Sequence, residues 1–456
     1  MHSQAPSIKK NWHQIVILII MVLATVIRVK AQGDPRLSIA NDDTSSYVTS
    51  SEISLLSWEA FTGRRLFTTN LIFQLFKPEE GYEILVNGSG NTTKRQLQPS
   101  FVNIALLQFI VSIISWYVLT LTIVRRLKNP IPKILAALLI PAFAFVPQMA
   151  DWDSVLSSES FSLSLFALQT GLLLELAFLM QNPPGKSLHI TLLASVWTLV
   201  VLLWAFLKDA HLYGVIVLAA MLAVTLIPVN FLKQKIVYLS LLILTASILI
   251  GWSSAGNSKR SLIQLEHVYT ANILTNPAYV ASMQEYGMPD HESPEYEQWF
   301  ISNAKDAYLK FLLTHPGYTV TAYFKDIPYA FSENAQSYFN TQPQYQLRKA
   351  LIPVGDILHP EHWVAMYADI LILLGILAIA LKNSSTENKT WAWISTWMFL
   401  SASANMFINI FGDVYALPRH ALVATMIFRL FMWIFIIVIV DMASDSPSRP
   451  VIADNS

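Results

Sequence analysis

Four short polar segments interrupt an otherwise apolar chain, and they carry acids and bases of the kinds that catalyse group transfer. They are Asp42-Asp43-Thr44, Asp151-Trp152-Asp153 with Glu159, Lys208-Asp209-Ala210-His211, and Asp413 with Arg419-His420. Each segment lies at the end of an apolar run, where a charge is costly unless it has a partner or a function. Carboxylates can accept a proton from a reacting hydroxyl, and ammonium and guanidinium groups can bind phosphate. The residue types therefore suggest an active site built at a membrane boundary by several helices.

The first acidic pair, Asp42 and Asp43, follows the first apolar run. One of these carboxylates could act as a general base, or bind a divalent cation through its oxygen atoms. The surrounding Asn-Asp-Asp-Thr pattern is also typical of a helix N-cap with a solvated turn before it. Spacing does not distinguish the two aspartates, and both are candidates for the catalytic residue.

The second acidic segment contains Asp151, Asp153 and Glu159. Glu159 falls in the first turn of a predicted helix, where an acid interacts favourably with the helix dipole. This structural explanation is sufficient for Glu159 alone. It is weaker for Asp151 and Asp153, which flank an interfacial tryptophan, so all three acids are candidates for a functional site.

Two basic segments stand among the acids. Lys208 lies in the middle of a long apolar stretch, and its ammonium could bind phosphate as a point charge or reach water from the tip of a helical hairpin. Arg419 and His420 follow Pro418, which suits a first helical turn. A guanidinium near a helix N-terminus favours phosphate, although Arg419 could also bind lipid headgroups. His420 alone is more readily structural than catalytic.

Composition places the chain in a membrane. Of its 456 residues, 54% are hydrophobic and only 13% are charged, and the mean hydropathy is +0.46. A soluble protein carries roughly twice that share of charged residues. The net charge of zero gives no indication of nucleic-acid binding, and no such partner is expected. The chain has no cysteine, which excludes disulfides and thiolate metal sites. It also lacks a glycine-rich phosphate loop, paired metal-binding histidines and a Gly-x-Ser-x-Gly elbow, which argues against ATP hydrolysis, zinc chemistry and serine hydrolysis.

Apolar runs predict about ten transmembrane helices, since a hydrocarbon core of about 30 Å needs roughly 20 apolar residues per helix. The expected spans are 14–28, 101–123, 134–149, 159–181, 190–207, 212–230, 236–252, 364–382, 391–411 and 417–441. The first run could pass for a signal-peptide core. Because Arg28 and Lys30 follow it directly, we expect an uncleaved anchor.

Lysine and arginine in the short loops predict a cytoplasmic N-terminus. The residues that set this orientation are Lys9, Lys10, Arg125, Arg126, Lys128, Lys133, Lys186, Lys233, Lys235, Lys382 and Lys389. All four polar segments then lie outside, so Lys208 and Arg419 are exceptions to the charge rule. We expect a bacterial plasma membrane protein with an outward-facing active site.

The predicted fold is an all-α polytopic membrane protein with three parts. Residues 1–252 form an N-terminal transmembrane bundle with a first external loop at 30–100. Residues 253–363 form a small, mostly helical extracytoplasmic domain, and 364–456 form the last transmembrane helices and a short cytoplasmic tail. Within the first loop, Ser54–Phe76 is predicted to be an amphipathic helix on the membrane surface.

This layout resembles the GT-C superfamily of integral membrane glycosyltransferases, in particular its mannosyl- and arabinosyltransferase-like members. The matching elements are Asp42-Asp43 for the acid of the first external loop, Gly63-Arg64-Arg65-Leu66-Phe67 for an arginine-bearing surface helix, Asp151, Asp153 or Glu159 for the acid of the second loop, Lys208-Asp209 with Tyr213 for a later basic hairpin, and Arg419-His420 before the final span. The order and shared sidedness of these elements carry the resemblance.

The resemblance implies inverting transfer of a sugar from a polyprenyl- or dolichyl-phosphate donor to a lipid, glycan or protein acceptor. Asp42 or Asp43 would deprotonate the acceptor, and Lys208 and Arg419 would stabilise the leaving phosphate. The remaining expected substrate-binding residues are Arg64, Asp151, Asp153, Glu159, Asp209, Tyr213 and His420. The acids at 151–159 would orient the sugar or acceptor or hold a divalent cation, which is the one candidate cofactor. Membrane lipids are the other expected partners.

Two departures limit the acceptor. The first-loop pair is Asp-Asp rather than the Asp-Glu of protein O-mannosyltransferases, and the Trp-Trp-Asp of oligosaccharyltransferases is missing from 253–363. Protein N-glycosylation is therefore not expected, and the acceptor stays open. Two alternatives are a lipid-linked glycan polymerase or ligase, and a secondary transporter or flippase that uses the same acids for coupling. Coupling acids normally lie near the bilayer midplane between inverted repeats, whereas these lie at span ends.

Overall fold

The computed structural model describes residues 12–86, 95–181, 187–226, 235–258, 260–332, 346–412 and 414–444, and it is predominantly helical. The helices before residue 258 are α1 (Trp12–Gln32), α2 (Thr44–Ser50), α3 (Glu59–Thr62), α4 (Phe67–Leu75), α5 (Val102–Arg126), α6 (Pro130–Phe145), α7 (Pro147–Ala150), α8 (Glu159–Gln181), α9 (Ser187–Ala205), α10 (His211–Leu226) and α11 (Lys235–Asn257). The later helices are α12 (Arg260–Val268), α13 (Pro277–Glu285), α14 (Glu295–Thr314), α15 (Pro316–Ala330), α16 (Gln346–Leu358), α17 (Val364–Lys382), α18 (Thr386–Gly412), α19 (Leu417–His420) and α20 (Leu422–Ser444). The described strands are β1 (Leu37–Ser38) and β2 (Gln96–Leu97), which pair antiparallel.

The all-α polytopic fold is confirmed. Eight helices of the described ranges are long and apolar enough to cross a membrane. The structure has a helix at each of the ten expected spans, but two of these helices are too short to cross a membrane by themselves. The third span is bent by 52° between Pro130–Phe145 and Pro147–Ser154. Proline lacks a backbone N–H and breaks helical hydrogen bonding, which explains a bend at Pro147. The sixth, His211–Val224, is a shorter apolar helix.

The centre of the bundle is formed by α8 and α20. In each of them, 72% of the most apolar window is buried against other helices. Helices α8 and α5 pack closely, since a Cβ atom added at Gly171 would lie 3.0 Å from the backbone of Leu119. Small residues allow helix backbones in membranes to pack this closely. Because α8 begins at Glu159 and α20 follows Arg419, both charged residues lie at the same end of the bundle centre.

The helices between α11 and α17 have a core of their own. Tyr269, Trp299 and Phe311 are among its buried side chains. Helix α15 packs on α18 and α19, while α16 packs on α1, α6 and α7. This part of the chain therefore rests on the end of the bundle that carries the polar segments. Its expected limits, 253 and 363, stay a prediction, since α11 continues to Asn257.

The predicted surface helix over Ser54–Phe76 is wrong in its extent, because the structure has two short helices there, α3 and α4. The helical conformation ends at Gly63, which lies between α3 and α4. A Cβ atom at Gly63 would lie 2.8 Å from the carbonyl oxygen of Glu59, so the tight turn needs glycine. The carbonyl oxygens of Phe61 and Gly63 accept hydrogen bonds from Arg260 rather than continuing a helix. The spacing of the apolar residues carries no information about this long-range contact, so the sequence did not predict the end of the helix at Gly63.

Candidate active site

Backbone hydrogen bonds join the loop after α1 to the loop before α8. The amide of Ile39 donates to the carbonyl of Ser154, and the amide of Leu156 donates to the carbonyl of Ile39, each at 2.9 Å. The Thr44 hydroxyl also donates to the Leu156 carbonyl at 2.8 Å. These bonds satisfy backbone groups that burial would otherwise leave unpaired. They also bring the first acidic pair next to the start of α8.

Asp43 lies between two guanidinium groups. Its Oδ1 accepts from Arg65 Nη2 at 2.5 Å, and its Oδ2 accepts from Arg419. Asp43 occupies the N-cap position of α2, but its side chain makes no capping hydrogen bond. Burial would raise the pKa of Asp43, but the guanidinium groups of Arg65 and Arg419 outweigh it and lower the pKa below its usual range. The carboxylate is therefore held ionised by its neighbours.

Arg419 links Asp43 to a second carboxylate. Its Nε donates to Glu159 Oε1 at 3.1 Å, and Lys208 Nζ donates to the same oxygen at 2.9 Å. The Glu159 side chain is fully buried, whereas those of Lys208 and Arg419 are 24% and 21% exposed. A buried carboxylate is stable only with partners of this kind. Glu159 thus fixes the two cations that face its carboxylate.

We define the cationic cluster as Asp43, Arg65, Glu159, Lys208 and Arg419. It contains three cations and two carboxylates, so it carries one net positive charge. All of its members except Glu159 are partly exposed. An accessible site with excess positive charge and a planar guanidinium is suited to a phosphate group.

Two aromatic and hydroxyl contacts support Arg65. Its guanidinium lies over the ring of Tyr47, 4.2 Å from the ring centroid, and its Nε donates to the Ser46 hydroxyl at 2.6 Å. The hydroxyl of Tyr47 in turn bonds that of Ser158 at 3.3 Å. Cation–π contact and hydrogen bonding both fix the direction of the Arg65 side chain toward Asp43.

The backbone just before Arg419 is strained. Ala416 has φ of 51°, in the left-handed region, and the short helix α19 begins directly after it. This conformation costs a non-glycine residue roughly 1–2 kcal/mol. The turn is braced from the neighbouring region, since the rings of Tyr415 and His267 lie edge to face with centroids 4.6 Å apart. Strain of this kind persists where the surrounding structure fixes the chain.

Several of the expected site residues lie elsewhere. Asp42 and Arg64 are exposed at the surface, and their neighbours Asp43 and Arg65 make the contacts. Asp209 forms an ion pair with Arg260 at 3.0 Å. Tyr213 is 37% exposed on α10. His420 is half-buried next to Arg419, and Asp413 lies outside the described residues, as do Lys9, Lys10, Lys186 and Lys233.

The other two acids of the second segment face a different set of arginines. Asp153 pairs with Arg28 of α1 and accepts from the Ser160 hydroxyl at 2.5 Å, and Asp151 pairs with Arg348 of α16. The side chains of Arg28 and Asp153 are 0% and 4% exposed. These two pairs join the second loop to α1 and α16. Asp151 and Asp153 therefore have ion-pair partners different from those of Glu159.

Four arginines that make these contacts were not expected from the sequence as site residues: Arg28, Arg65, Arg260 and Arg348. One signal was available for Arg28, because a basic residue near the outer end of the first span opposes the predicted orientation. The other partners lie far apart in the chain, and no local pattern pairs them.

The candidate divalent cation does not fit these side chains. Such an ion requires several oxygen ligands at once. Among the described residues, no group of three or more aspartate, glutamate or histidine side chains converges. Both oxygens of Asp43 already accept from guanidinium groups, and Oε1 of Glu159 accepts from two cations.

No known protein family and no curated protein matches the sequence. Solved structures do match. Archaeal oligosaccharyltransferase AglB from Archaeoglobus fulgidus, in complex with an inhibitory peptide and a dolichol-phosphate, aligns with a TM-score of 0.45 and 14% identity, over 95% of this chain and 51% of that chain. The oligosaccharyltransferase of this organism tethered with an acceptor peptide gives a TM-score of 0.43 and 13% identity, over 94% and 50%. The chain spans about half the length of these structures.

Proposed function

We propose that this chain is an inverting glycosyltransferase that uses a polyprenyl- or dolichyl-phosphate-linked sugar as donor and acts at the outer face of the membrane. The observation that carries the proposal is the double contact of Arg419, which binds Asp43 of the first loop and Glu159 of the second. This contact joins a carboxylate able to accept a proton to cations able to bind phosphate. Both functions are needed when a hydroxyl displaces a phosphate from a sugar.

The donor phosphate would bind between Arg419 and Lys208, whose side chains reach solvent beside the buried Glu159. The guanidinium offers two parallel N–H donors, and the ammonium adds a point charge. As the bond between the anomeric carbon and the phosphate oxygen breaks, its electron pair passes to that oxygen. The two cations stabilise the negative charge that develops there.

Asp43 would act as the general base. It would take the proton of the acceptor hydroxyl while the acceptor oxygen forms a bond to the anomeric carbon, from the side opposite the phosphate. Arg419 binds Asp43 in the structure, so a donor phosphate would compete for the same guanidinium. Loss of one cationic partner makes a carboxylate more basic. Donor binding would thus increase the basicity of Asp43 when the base is needed.

The finer features rest on the sequence. The lysine and arginine distribution favours a cytoplasmic N-terminus and an outward site, and a bacterial plasma membrane is the proposed location. The acceptor is a hydroxyl of a lipid, glycan or protein.

The test is transfer from a panel of radiolabelled polyprenyl-phosphate sugars by purified protein in proteoliposomes. Lys208→Gln is compared with Lys77→Gln, because Lys77 forms an exposed ion pair with Glu52 in the first loop. The proposal expects wild-type protein and Lys77→Gln to transfer label, and Lys208→Gln to lose at least tenfold in kcat/KM, an effect of about 1.4 kcal/mol. Equal activity of the two variants would contradict the phosphate role of Lys208.

One observation favours a second candidate, secondary transport. Asp369 of α17 is fully buried, and neither carboxylate oxygen has a hydrogen-bond partner in the described structure. An ionisable group inside a span is costly and frequently marks an ion or proton pathway. Proton-coupled flux in liposomes that Asp369→Asn abolishes would support transport. Sugar transfer that Asp369→Asn retains would support the first proposal.

A further inference from the structure

We propose that Arg260 is a positioning residue that holds Arg65 and Lys208 at their places in the cationic cluster. The inference rests on the proposed function, since it assigns a role within the same site. Arg260 begins α12, in a part of the chain that contains none of the expected site residues. Neither Arg260 nor its partners touch the carboxylates of the cluster in the described contacts, so the residue acts through others.

Every N–H group of the Arg260 guanidinium has a partner. Nε and Nη2 donate to the two oxygens of Asp209 at 3.1 and 3.0 Å, forming a bidentate pair. Nη1 donates to the carbonyl oxygens of Phe61 and Gly63 at 2.8 and 2.7 Å. Nη2 also donates to the Ser254 hydroxyl at 3.2 Å. Five donors in a fixed planar fork are thus fully used, an arrangement that lysine cannot reproduce.

Two partners of Arg260 lie close in the chain to cationic residues of the cluster. Asp209 is the neighbour of Lys208, and Gly63 lies two residues before Arg65. Arg260 therefore ties the hairpin tip between α9 and α10 to the turn between α3 and α4. The Arg260 side chain is only 10% exposed, whereas Asp209 is 50% exposed. The bond to the carbonyl groups is shielded from water, which strengthens it.

A second contact reinforces the same junction. The hydroxyl of Ser254, at the end of α11, donates to the Phe61 carbonyl at 2.5 Å and accepts from Arg260. The Phe61 carbonyl oxygen thus accepts two hydrogen bonds, one from Ser254 of α11 and one from Arg260 of α12. Displacement of catalytic groups by about 1 Å can cost 10²-fold in rate, so a fixed turn at 61–63 matters for Arg65.

The geometric test uses the absence of cysteine from the chain. Spin labels on Arg64→Cys and Ala210→Cys, one on each side of the junction, report the distance between the turn and the hairpin tip by pulsed electron resonance. We expect one narrow distance distribution with Arg260 present and a broader or shifted one with Arg260→Ala. An unchanged distribution would overturn the proposal, whether or not the chain transfers sugar.

The functional test measures the affinity of full-length protein for polyprenyl phosphate, and kcat and KM for transfer. Arg260→Ala and Arg260→Lys should each weaken affinity and raise KM by about 10- to 100-fold, and millimolar guanidinium should partly restore Arg260→Ala. Asp209→Asn, which breaks only the hairpin side, should give a smaller loss in the same direction.

A double-mutant cycle separates positioning from general instability. In a protein that already carries Arg65→Gln and Lys208→Gln, Arg260→Ala should cause little further loss, because the groups that it positions are gone. An undiminished loss in that background would overturn the proposal. If wild-type protein neither binds polyprenyl phosphate nor transfers sugar while the spin-label result holds, the proposed function fails and the positioning role stands.

Discussion

Asp43 and Arg419 are 376 residues apart in the chain and form an ion pair at one end of the bundle. The pair joins the loop after the first span to the turn before the last one. Arg419 lies just before α20, and Glu159, its second carboxylate partner, begins α8; these are the two most buried of the described spans. The proposed mechanism assigns proton acceptance to Asp43 and phosphate binding to Arg419, so it depends on this pair.

The arginine pair 64–65 offers a matched comparison. Arg65→Gln should lower kcat/KM by about tenfold or more, because it removes one of the three cations of the cluster and the contact that orients the Asp43 carboxylate. Arg64→Gln should stay within about twofold of wild type, since Arg64 is exposed. Steady-state kinetics of both variants check this. A larger loss of kcat/KM in Arg64→Gln than in Arg65→Gln would support Arg64, the arginine expected from the sequence, as the site residue.

The pH dependence of transfer should follow Asp43. Burial raises the pKa of this carboxyl, and Arg65 and Arg419 lower it by more, so the folded pKa lies below the unfolded value of about 3.9. Asp43 then contributes stability above that value and loses it as the pH falls through the folded pKa. Arg65→Gln removes one cation and should raise the pKa. The acid limb of kcat/KM should therefore move to higher pH than in wild type, and coincident limbs would show that Asp43 does not control it.

Arg419 should not tolerate the usual exchange for lysine. Arg419→Lys keeps the charge, but one ammonium cannot reproduce the guanidinium contacts with both Asp43 and Glu159. We expect a loss of about 10²-fold in kcat/KM. Binding of inorganic pyrophosphate or polyprenyl phosphate, followed by intrinsic fluorescence, should weaken in parallel. Wild-type kinetics in Arg419→Lys would reduce its role to that of a point charge.

Asp153 should behave as a structural residue. Asp153→Asn leaves the buried guanidinium of Arg28 without its charged partner, and breaking a buried pair costs roughly 3–5 kcal/mol. The unfolding temperature in detergent should fall, while kcat per folded molecule changes little. Glu159→Gln is the contrasting variant, because Glu159 contacts Lys208 and Arg419 and should lower kcat/KM as well. A loss of kcat in Asp153→Asn without a fall in the unfolding temperature would contradict this prediction and support a role for Asp153 in substrate binding.

Hydropathy and charge placement were sufficient to predict the fold class and to bring Asp43, Glu159, Lys208 and Arg419 to one end of the bundle. The spans are long, and a span end that carries charge must face water or a partner. These constraints depend on residues that are close together in the chain, so they can be predicted from the sequence. The bend in the third span was partly visible in its prolines, Pro141 and Pro147.

The choice between adjacent residues was beyond the sequence. Asp42 or Asp43 faces the site according to the direction in which α2 begins, and Arg64 or Arg65 according to the turn at Gly63. That turn is fixed by Arg260, almost 200 residues later. The ion pair of Asp153 likewise depends on Arg28, which local patterns show only as a flank of the first span. Long-range ion pairs therefore account for most of what could not be predicted.

The most direct measurement of the central claim is single-turnover transfer from a labelled polyprenyl-phosphate sugar by Asp43→Asn and Asp42→Asn, each shown to be folded by its unfolding temperature. The two residues are neighbours of the same type, and only Asp43 binds the guanidinium groups. The account predicts a loss of about 10²–10⁴-fold for Asp43→Asn and a rate within about twofold of wild type for Asp42→Asn. Full transfer by Asp43→Asn would contradict it.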